Sequence, residues 1–556
     1  MRSSFRLVRI SAAVISMLVA VAVGDTSFAY SGEAGAPAAM GLATESAPVA
    51  CGSLLTLSLA STTINTAVDT PAGIVPGPFP SVPPTPVPET CRVHATVTSP
   101  GVNDQIGVDV WMPASGWNGR FEGIGGGGYS TGSPFSLAAP VAAGFSAAVT
   151  DGGHSGLSNF TGSFALDSNG RLNWPLIQDF SYRALHDLAV VGKAVTAAFY
   201  GRHANFAYWN GCSTGGRQGL SEAQRYPNDY NGILAAAPAI NWQKFIPAEL
   251  WPELVMLKAG DFLPQCKFAA FQAAAVKACD TVGDGVVDGV IGDPLACKFD
   301  PNSLVGTSTP CGTITAQDAA IVARIVAGPR TTSGDFLWYG LTWGASFAGL
   351  ANTTTSGATT VGAPFPIALD HLGTWVQQNP TWDWTTTTYD QYDQLFQQSI
   401  EMYSNVIGTD NPDLSGFKNA GGKLIIWHGL ADQLIFPQGT INYYNRVMHL
   451  MGGKGETAEF ARLFLAPGVG HCAGGAGPQP DQPLNQLMNW VEHHKAPTTL
   501  DGVIRNPTTG AVTATRPICM YPETAAYRGS GPTTQASSFI CRRSKGQEDA
   551  ASSVGQ

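Results

Sequence analysis

The sequence predicts an α/β fold with a mostly parallel sheet and a large inserted domain. Three observations predict it. Short apolar runs alternate with helical ones in two separate blocks, the pattern of a parallel sheet covered by helices. Between the blocks, over about 243–417, Trp, Thr and Gly become frequent, strand runs are few, and four of the ten cysteines gather. A serine flanked by glycines also stands where a strand ends and a helix begins.

The elements follow in order. Leu54 to Val68 and Val93 to Val97 alternate like half-buried strands, with an extended Pro-rich stretch from Pro71 to Pro88 between them. Ile106 to Met112 is a further strand by its period of two. Trp117-Asn-Gly-Arg-Phe121 then leads into Gly125–Gly128, four consecutive glycines without side-chain bulk. Gly144 to Thr150 reads as a buried strand. Tyr182 to Tyr200 reads as an amphipathic helix, with Leu185, Leu188, Val191 and Val195 at 3–4 spacing. Phe206 to Trp209 is a strand and Arg217 to Gln224 a helix. In the second block Lys423 to Trp427 is a strand and Gln486 to His494 a closing helix. The expected division is a discontinuous catalytic domain over 30–242 and 418–556, with 243–417 inserted across the carboxyl edge of the sheet.

Composition narrows the function. Of 556 residues, 44% are hydrophobic and 13% charged, which excludes a disordered or fibrous chain. Lys+Arg 30 against Asp+Glu 40 gives a net charge of −10 with no basic cluster, which argues against a nucleic-acid partner. Arg2, Arg6 and Arg9 precede an apolar run from Ile10 to Val23, and Ser27-Phe28-Ala29 offers a small-x-small cleavage site. Residues 1–29 therefore read as a signal peptide of a secreted or periplasmic protein. No second long apolar run follows, so stable membrane insertion is not expected. Removing the signal takes away three Arg and one Asp, leaving 27 basic against 39 acidic residues and a net −12. All ten cysteines lie beyond it, and none forms a C-x-x-C pair, which favours disulfides over redox or zinc chemistry.

Gly211-Cys212-Ser213-Thr214-Gly215 has the strand–turn–helix context of a nucleophile elbow. Glycine content this high makes the motif weak alone. The cysteines strengthen it: Cys212 directly precedes Ser213, and Cys472 directly follows His471. A bond between them would hold their Cα atoms within ~7 Å. Ser213 and His471 would then lie close enough for proton transfer. Asp432 follows the strand at 423–427 and precedes His471, whereas its competitors Asp410 and Asp413 precede that strand. The order Ser, Asp, His is the one α/β-hydrolases use, which refines the fold to an α/β-hydrolase with an inserted lid. The Thr214 amide is one expected oxyanion-hole donor, and Gly127 is the candidate for the second.

These residues resemble a known family. Cys212-Ser213, Asp432 and His471-Cys472 look like the CS-D-HC motif of the tannase/feruloyl esterase family. Trp117 to Phe121, Gly125–Gly128, Gly211 to Gly219, Ala235-Ala-Ala-Pro-Ala239 and His428-Gly-Leu-Ala-Asp432 match in order, over nearly all of the chain after the signal. The resemblance implies a secreted serine esterase with a disulfide between the residues flanking Ser and His, and a lid that supplies the substrate pocket. Members act on feruloyl, galloyl and related aromatic esters, and include mono(2-hydroxyethyl) terephthalate hydrolase. By position the resemblance also implies bridges Cys51–Cys91 and Cys519–Cys541, which leaves Cys266 and Cys311. Cys279 and Cys297 would pin the loop between them.

That loop is a second constellation. Asp280, Asp284 and Asp288 converge if its glycines curl the chain, and the carbonyls of Val286 and Val290 would complete an oxygen shell for Ca²⁺. The residues alone leave a plain Asp/Gly turn open, and the spacing is not that of an EF-hand. The resemblance implies a structural calcium here, with one extra residue between Asp280 and Asp284 relative to some members. From Thr331 to Phe417 the lid holds no Lys or Arg, yet carries Trp338, Tyr339, Trp343, Trp375, Trp382 and Trp384, flat walls suited to an aromatic acyl group. A buried carboxylate on the substrate would need a cation. Terephthalate-monoester hydrolases of the family place a lid arginine there, and here only His371 could serve. The expectation is a carboxylesterase for neutral feruloyl- or galloyl-type esters, working through Ser213, His471 and Asp432. A terephthalate-monoester hydrolase is the alternative, and a hydrolase-fold binding protein without activity a more distant one.

Overall fold

A computed structural model describes residues 47–78, 82–102, 104–154, 160–357, 359–544 and 546. The expected signal peptide lies outside the described residues.

Nine strands form the central sheet: β1 (Thr62–Thr70), β2 (Thr90–Val97), β3 (Ile106–Pro113), β4 (Arg120–Ile124), β5 (Ser146–Thr150), β6 (Phe206–Cys212), β7 (Gly232–Ala236), β8 (Lys423–Gly429) and β9 (Ala461–Ala466). Their spatial order is β1-β2-β3-β5-β4-β6-β7-β8-β9. The first three and β5 pair antiparallel, and from β5 to β9 every neighbouring pair is parallel. Parallel strands are covered on both faces, so they must be apolar on both. Alternate residues show this. Ile233, Ala235, Leu424 and Ile426 join one core with Leu185, Leu188, Val191 and Val195 of helix α1 (Ala184–Tyr200). Leu234, Ala236, Ile425 and Trp427 join the core on the opposite face.

The chain between β7 and β8 adds no strand to this sheet. After α2 (Thr214–Arg225), which follows β6, it contributes α3 (Trp242–Glu249), α4 (Trp251–Ala259), α5 (Gln265–Cys279), α6 (Ala316–Ala327) and α7 (Tyr389–Tyr403). Capping boxes start α6 at Thr315 and α7 at Thr388, satisfying otherwise orphaned N–H groups. These helices enclose a core of their own. Trp338 and Trp375 lie inside it, with Tyr339, Trp343, Trp382 and Trp384 packed against it.

Beyond β8 come α8 (Pro437–Leu450) and, after β9, α9 (Pro483–His493), which packs on β7 and β8 and contributes Leu487 and Trp490 to the second core. The chain closes with β10 (Thr499–Arg505) against β11 (Val512–Cys519), and β12 (Glu523–Tyr527) against β13 (Phe539–Arg543). The cysteines pair 51–91, 212–472, 266–311, 279–297 and 519–541, leaving none free.

Two expectations need correction. Cys51–Thr56 is a 3₁₀ turn rather than the start of a strand, held against β2 through Cys91. The Pro-rich stretch is not simply extended, since Gly73–Val75 pairs with Thr85–Val87. Strands β7 and β9 were not legible, being short runs in which alanine and Arg462 dilute the β-branched signal.

Candidate active site

β6 ends at Cys212 and α2 begins at Thr214, so Ser213 alone makes the turn, at φ 63° and ψ −123°. A non-glycine residue there costs on the order of 1–3 kcal/mol and persists only where its surroundings fix it. Here they do. The Ser213 N–H donates to the Ala236 carbonyl at 3.1 Å, and the Ser213 carbonyl accepts from Arg217 and Ala239, each at 3.0 Å. Glycine lets the turn close: a Cβ on Gly211 would stand 2.5 Å from the Gly215 backbone.

β8 delivers Asp432, which is fully buried. Its Oδ2 accepts from His471 Nδ1 at 2.8 Å and from His428 Nε2 at 3.0 Å. Its Oδ1 accepts the N–H groups of Leu434 and Ile435 at 2.8 and 2.9 Å. Thr440 Oγ1 sits 2.9 Å from His428 Nδ1, fixing the tautomer that leaves Nε2–H for the carboxylate. Burial alone would raise the Asp432 carboxyl. The charge of His471 and the bonds from His428 and His471 outweigh it and hold the group below the ordinary carboxylate range. The competitors are engaged elsewhere: Asp410 pairs with Arg446 at 3.3 Å, and Asp413 accepts the Ser415 N–H at 2.9 Å.

The Cys212–Cys472 bridge, with Cα atoms 5.9 Å apart, brings the two chain segments together. Ser213, Thr214, Gly127, Gly128 and His471 line one cavity. Its glycine loop is tied down from several sides. The Gly125 N–H donates to Asn210 O at 3.0 Å, the Gly126 N–H to Gln218 Oε1 at 2.9 Å, and Thr214 Oγ1 to Gly128 O at 2.6 Å. The N–H groups of Gly127 and Thr214 take no part in these bonds.

The walls differ from those the sequence predicts. Phe160, Trp242, Phe245, Ile246, Phe365 and Ile367 line the cavity, and none of the six expected aromatic residues does. The signal for α3 was its place directly beyond the strand beside the elbow. His371 is fully buried against Ser399, Trp375 and Tyr403, and burial pushes it down to about 3. It is neutral and cannot serve as a cation. No Lys or Arg lines the cavity among the described residues, and its one acidic lining residue is Glu249. The Arg217 guanidinium lies 5.9 Å from the Trp242 ring centroid and donates to the carbonyls of Ser181 and Phe180.

At the acidic loop the convergence is only partial. Among the described residues no three acidic, His or Cys side chains meet at one point. Arg516 of β11 intervenes, with Nη1 2.9 Å from Asp284 Oδ2 and Nη2 2.6 Å from Asp288 Oδ2. Asp280 Oδ1 instead accepts the N–H groups of Asp288 and Gly289 at 3.1 and 2.9 Å. The Val286 side chain packs with Cys519, Ala525 and Phe539, joining this loop to the C-terminal strands. Three carboxylates and one guanidinium still leave two surplus negative charges among oxygen donors, which suits a hard divalent cation.

Comparison with known proteins agrees with this architecture. A profile of the family described as tannase and feruloyl esterase matches residues 91–542. A probable feruloyl esterase of Arthroderma benhamiae is 43% identical over 477 residues, covering 84% of this chain and 88% of that protein. Mono(2-hydroxyethyl) terephthalate hydrolase of Piscinibacter sakaiensis is 31% identical over 532 residues, covering 82% and 85%. Tannin acyl hydrolase from Aspergillus niger superposes with a TM-score of 0.80 at 26% identity, covering 89% of this chain and 94% of that one. Feruloyl esterase B from Aspergillus oryzae gives 0.77 at 28% identity, covering 87% and 98%. With the family profile spanning β3 to β9 and the inserted segment alike, the chain belongs to the tannase and feruloyl esterase family and is a carboxylic ester hydrolase.

Proposed function

We propose that the protein is a secreted serine esterase acting on neutral aromatic esters of the feruloyl or galloyl type. The observation that carries this reading is that His471, hydrogen-bonded to the buried Asp432, lines one cavity with Ser213. Ser213 Oγ attacks the ester carbonyl while His471 Nε2 takes its proton. Asp432 holds the Nδ1–H and stabilises the imidazolium. The N–H groups of Thr214 and Gly127 receive the oxyanion as the tetrahedral intermediate forms. Collapse breaks the bond to the alcohol, which leaves with the proton from His471. A water molecule, deprotonated in turn by His471, then releases the aromatic acid and restores Ser213.

The cavity supports a neutral acyl group. Apolar rings line it, no Lys or Arg does among the described residues, and a buried substrate carboxylate would go uncompensated. Its disulfides suit an oxidising compartment, and no described helix is long and apolar enough to cross a membrane. For the acidic loop, the carboxylates of Asp280, Asp284 and Asp288 with the carbonyls of Val286 and Val290 would hold Ca²⁺. The ion would neutralise the surplus charge and stiffen the loop against the C-terminal strands.

The test is hydrolysis of methyl ferulate, methyl gallate and mono(2-hydroxyethyl) terephthalate side by side, with Ser213→Ala as the blank. Turnover of a neutral aromatic ester that vanishes in Ser213→Ala is expected. Full activity in Ser213→Ala overturns the mechanism, and equal turnover of the terephthalate monoester overturns the substrate preference.

A further inference from the structure

We propose that Glu249 is a specificity-determining residue that hydrogen-bonds a ring hydroxyl on the acyl group, an assignment that rests on the aromatic-ester reading above. Helix α3 presents Trp242, Phe245, Ile246 and Glu249 to the cavity. These are positions i, i+3, i+4 and i+7, one face of a helix. The Trp242 and Phe245 rings meet edge to face, with centroids 6.0 Å apart and planes at 73°, and the carboxyl stands one turn further on. An aromatic acyl group held against these two rings in the same cavity comes within reach of Glu249.

The condition of the carboxyl points to a missing partner. Glu249 is 1% exposed, yet its Oε2 is buried without a hydrogen-bond partner among the described residues. Native proteins rarely leave a buried polar group unsatisfied, and those that remain call for an explanation such as a ligand. Burial, and after it the nearby charge of Asp432, raise the carboxyl well above its ordinary value. Both effects favour the protonated carboxyl, the form able to donate to and accept from a phenol at once. Glu249 shares the cavity with the proposed nucleophile but is absent from the Ser213–His471–Asp432 chemistry, so its free bonding capacity serves recognition. A site built to bond a hydroxyl discriminates strongly against the analogue that lacks it, because its own polar group is then left unpaired.

Methyl 4-hydroxycinnamate and methyl cinnamate differ by that one hydroxyl. The expected kcat/KM ratio of the wild type favours the hydroxylated ester by roughly 10- to 100-fold. Glu249→Met should bring the ratio close to one, whereas Glu249→Gln, which still donates and accepts, should keep most of it. Melting temperatures at or above the wild-type value show that both variants fold. A wild-type ratio near one, or a ratio unmoved in Glu249→Met, overturns the assignment and leaves the aromatic-ester reading standing. A wild type that hydrolyses neither ester overturns both.

Discussion

The two walls of the cavity differ in how their polar atoms are satisfied. On the sheet side, the two oxygens of Asp432 take four donors: His471, His428, and the amides of Leu434 and Ile435. On the lid side, Glu249 Oε2 and Trp242 Nε1 are buried without a partner among the described residues. The sheet wall is complete before any ligand arrives, as electrostatic preorganisation requires. The lid wall is held in place by packing, and its polar bonds are left for the substrate to make.

Breaking the sheet wall should cost most. Asp432→Asn keeps the shape but misorients the imidazole, and kcat should fall by about 10³- to 10⁴-fold with little change in KM. A loss under tenfold would mean that this wall does not run the chemistry. Next in size is His428, a positioning residue. His428→Leu should lower kcat about 10- to 100-fold, by analogy with losing an outer-shell partner. His428→Gln, which keeps an N–H for Asp432, should recover most of that loss; no recovery would make the effect one of packing alone.

Two further effects, both on the lid side, are read in stability. Chelation followed by thermal melting should lower Tm by several degrees, restored by Ca²⁺ but not by Mg²⁺, which demands near-octahedral geometry. An unmoved Tm would leave Arg516 as the loop's only cation. The smallest effect concerns Glu249. Its folded pKa lies above the unfolded value, so its contribution is fully present in acid and is lost as pH rises. Glu249→Gln should therefore melt a few degrees above wild type at pH 8, and the gap should close near pH 4. A gap that widens in acid would reverse the reading.

The placement of the candidate site was far more legible than its walls. Ser213, Asp432 and His471 could be paired because cysteines beside two of them tie distant segments together, and such covalent constraint shows in sequence. The second donor to Asp432 did not show, since His428 reads as one more residue at the end of an apolar strand. Nor did the lid wall. Trp338 and Trp375 attract notice by size, yet large apolar side chains are what a lid needs for its own core, and that is where they lie. Glu249 gave no signal, because burial without a partner is a property of the folded environment. Arg516 lies 232 positions from Asp284, so no local pattern could pair them.

The Cys212–Cys472 bridge spans 260 positions and encloses the whole inserted segment. A protease that cuts once anywhere between them severs the backbone but not the molecule. The two pieces remain one covalent unit, with Ser213 and His471 still fastened side by side. A nicked copy should run as a single band until reductant is added, and keep turning over ester until then. That is tolerance of wear, conferred by one bond at the place where wear would matter most.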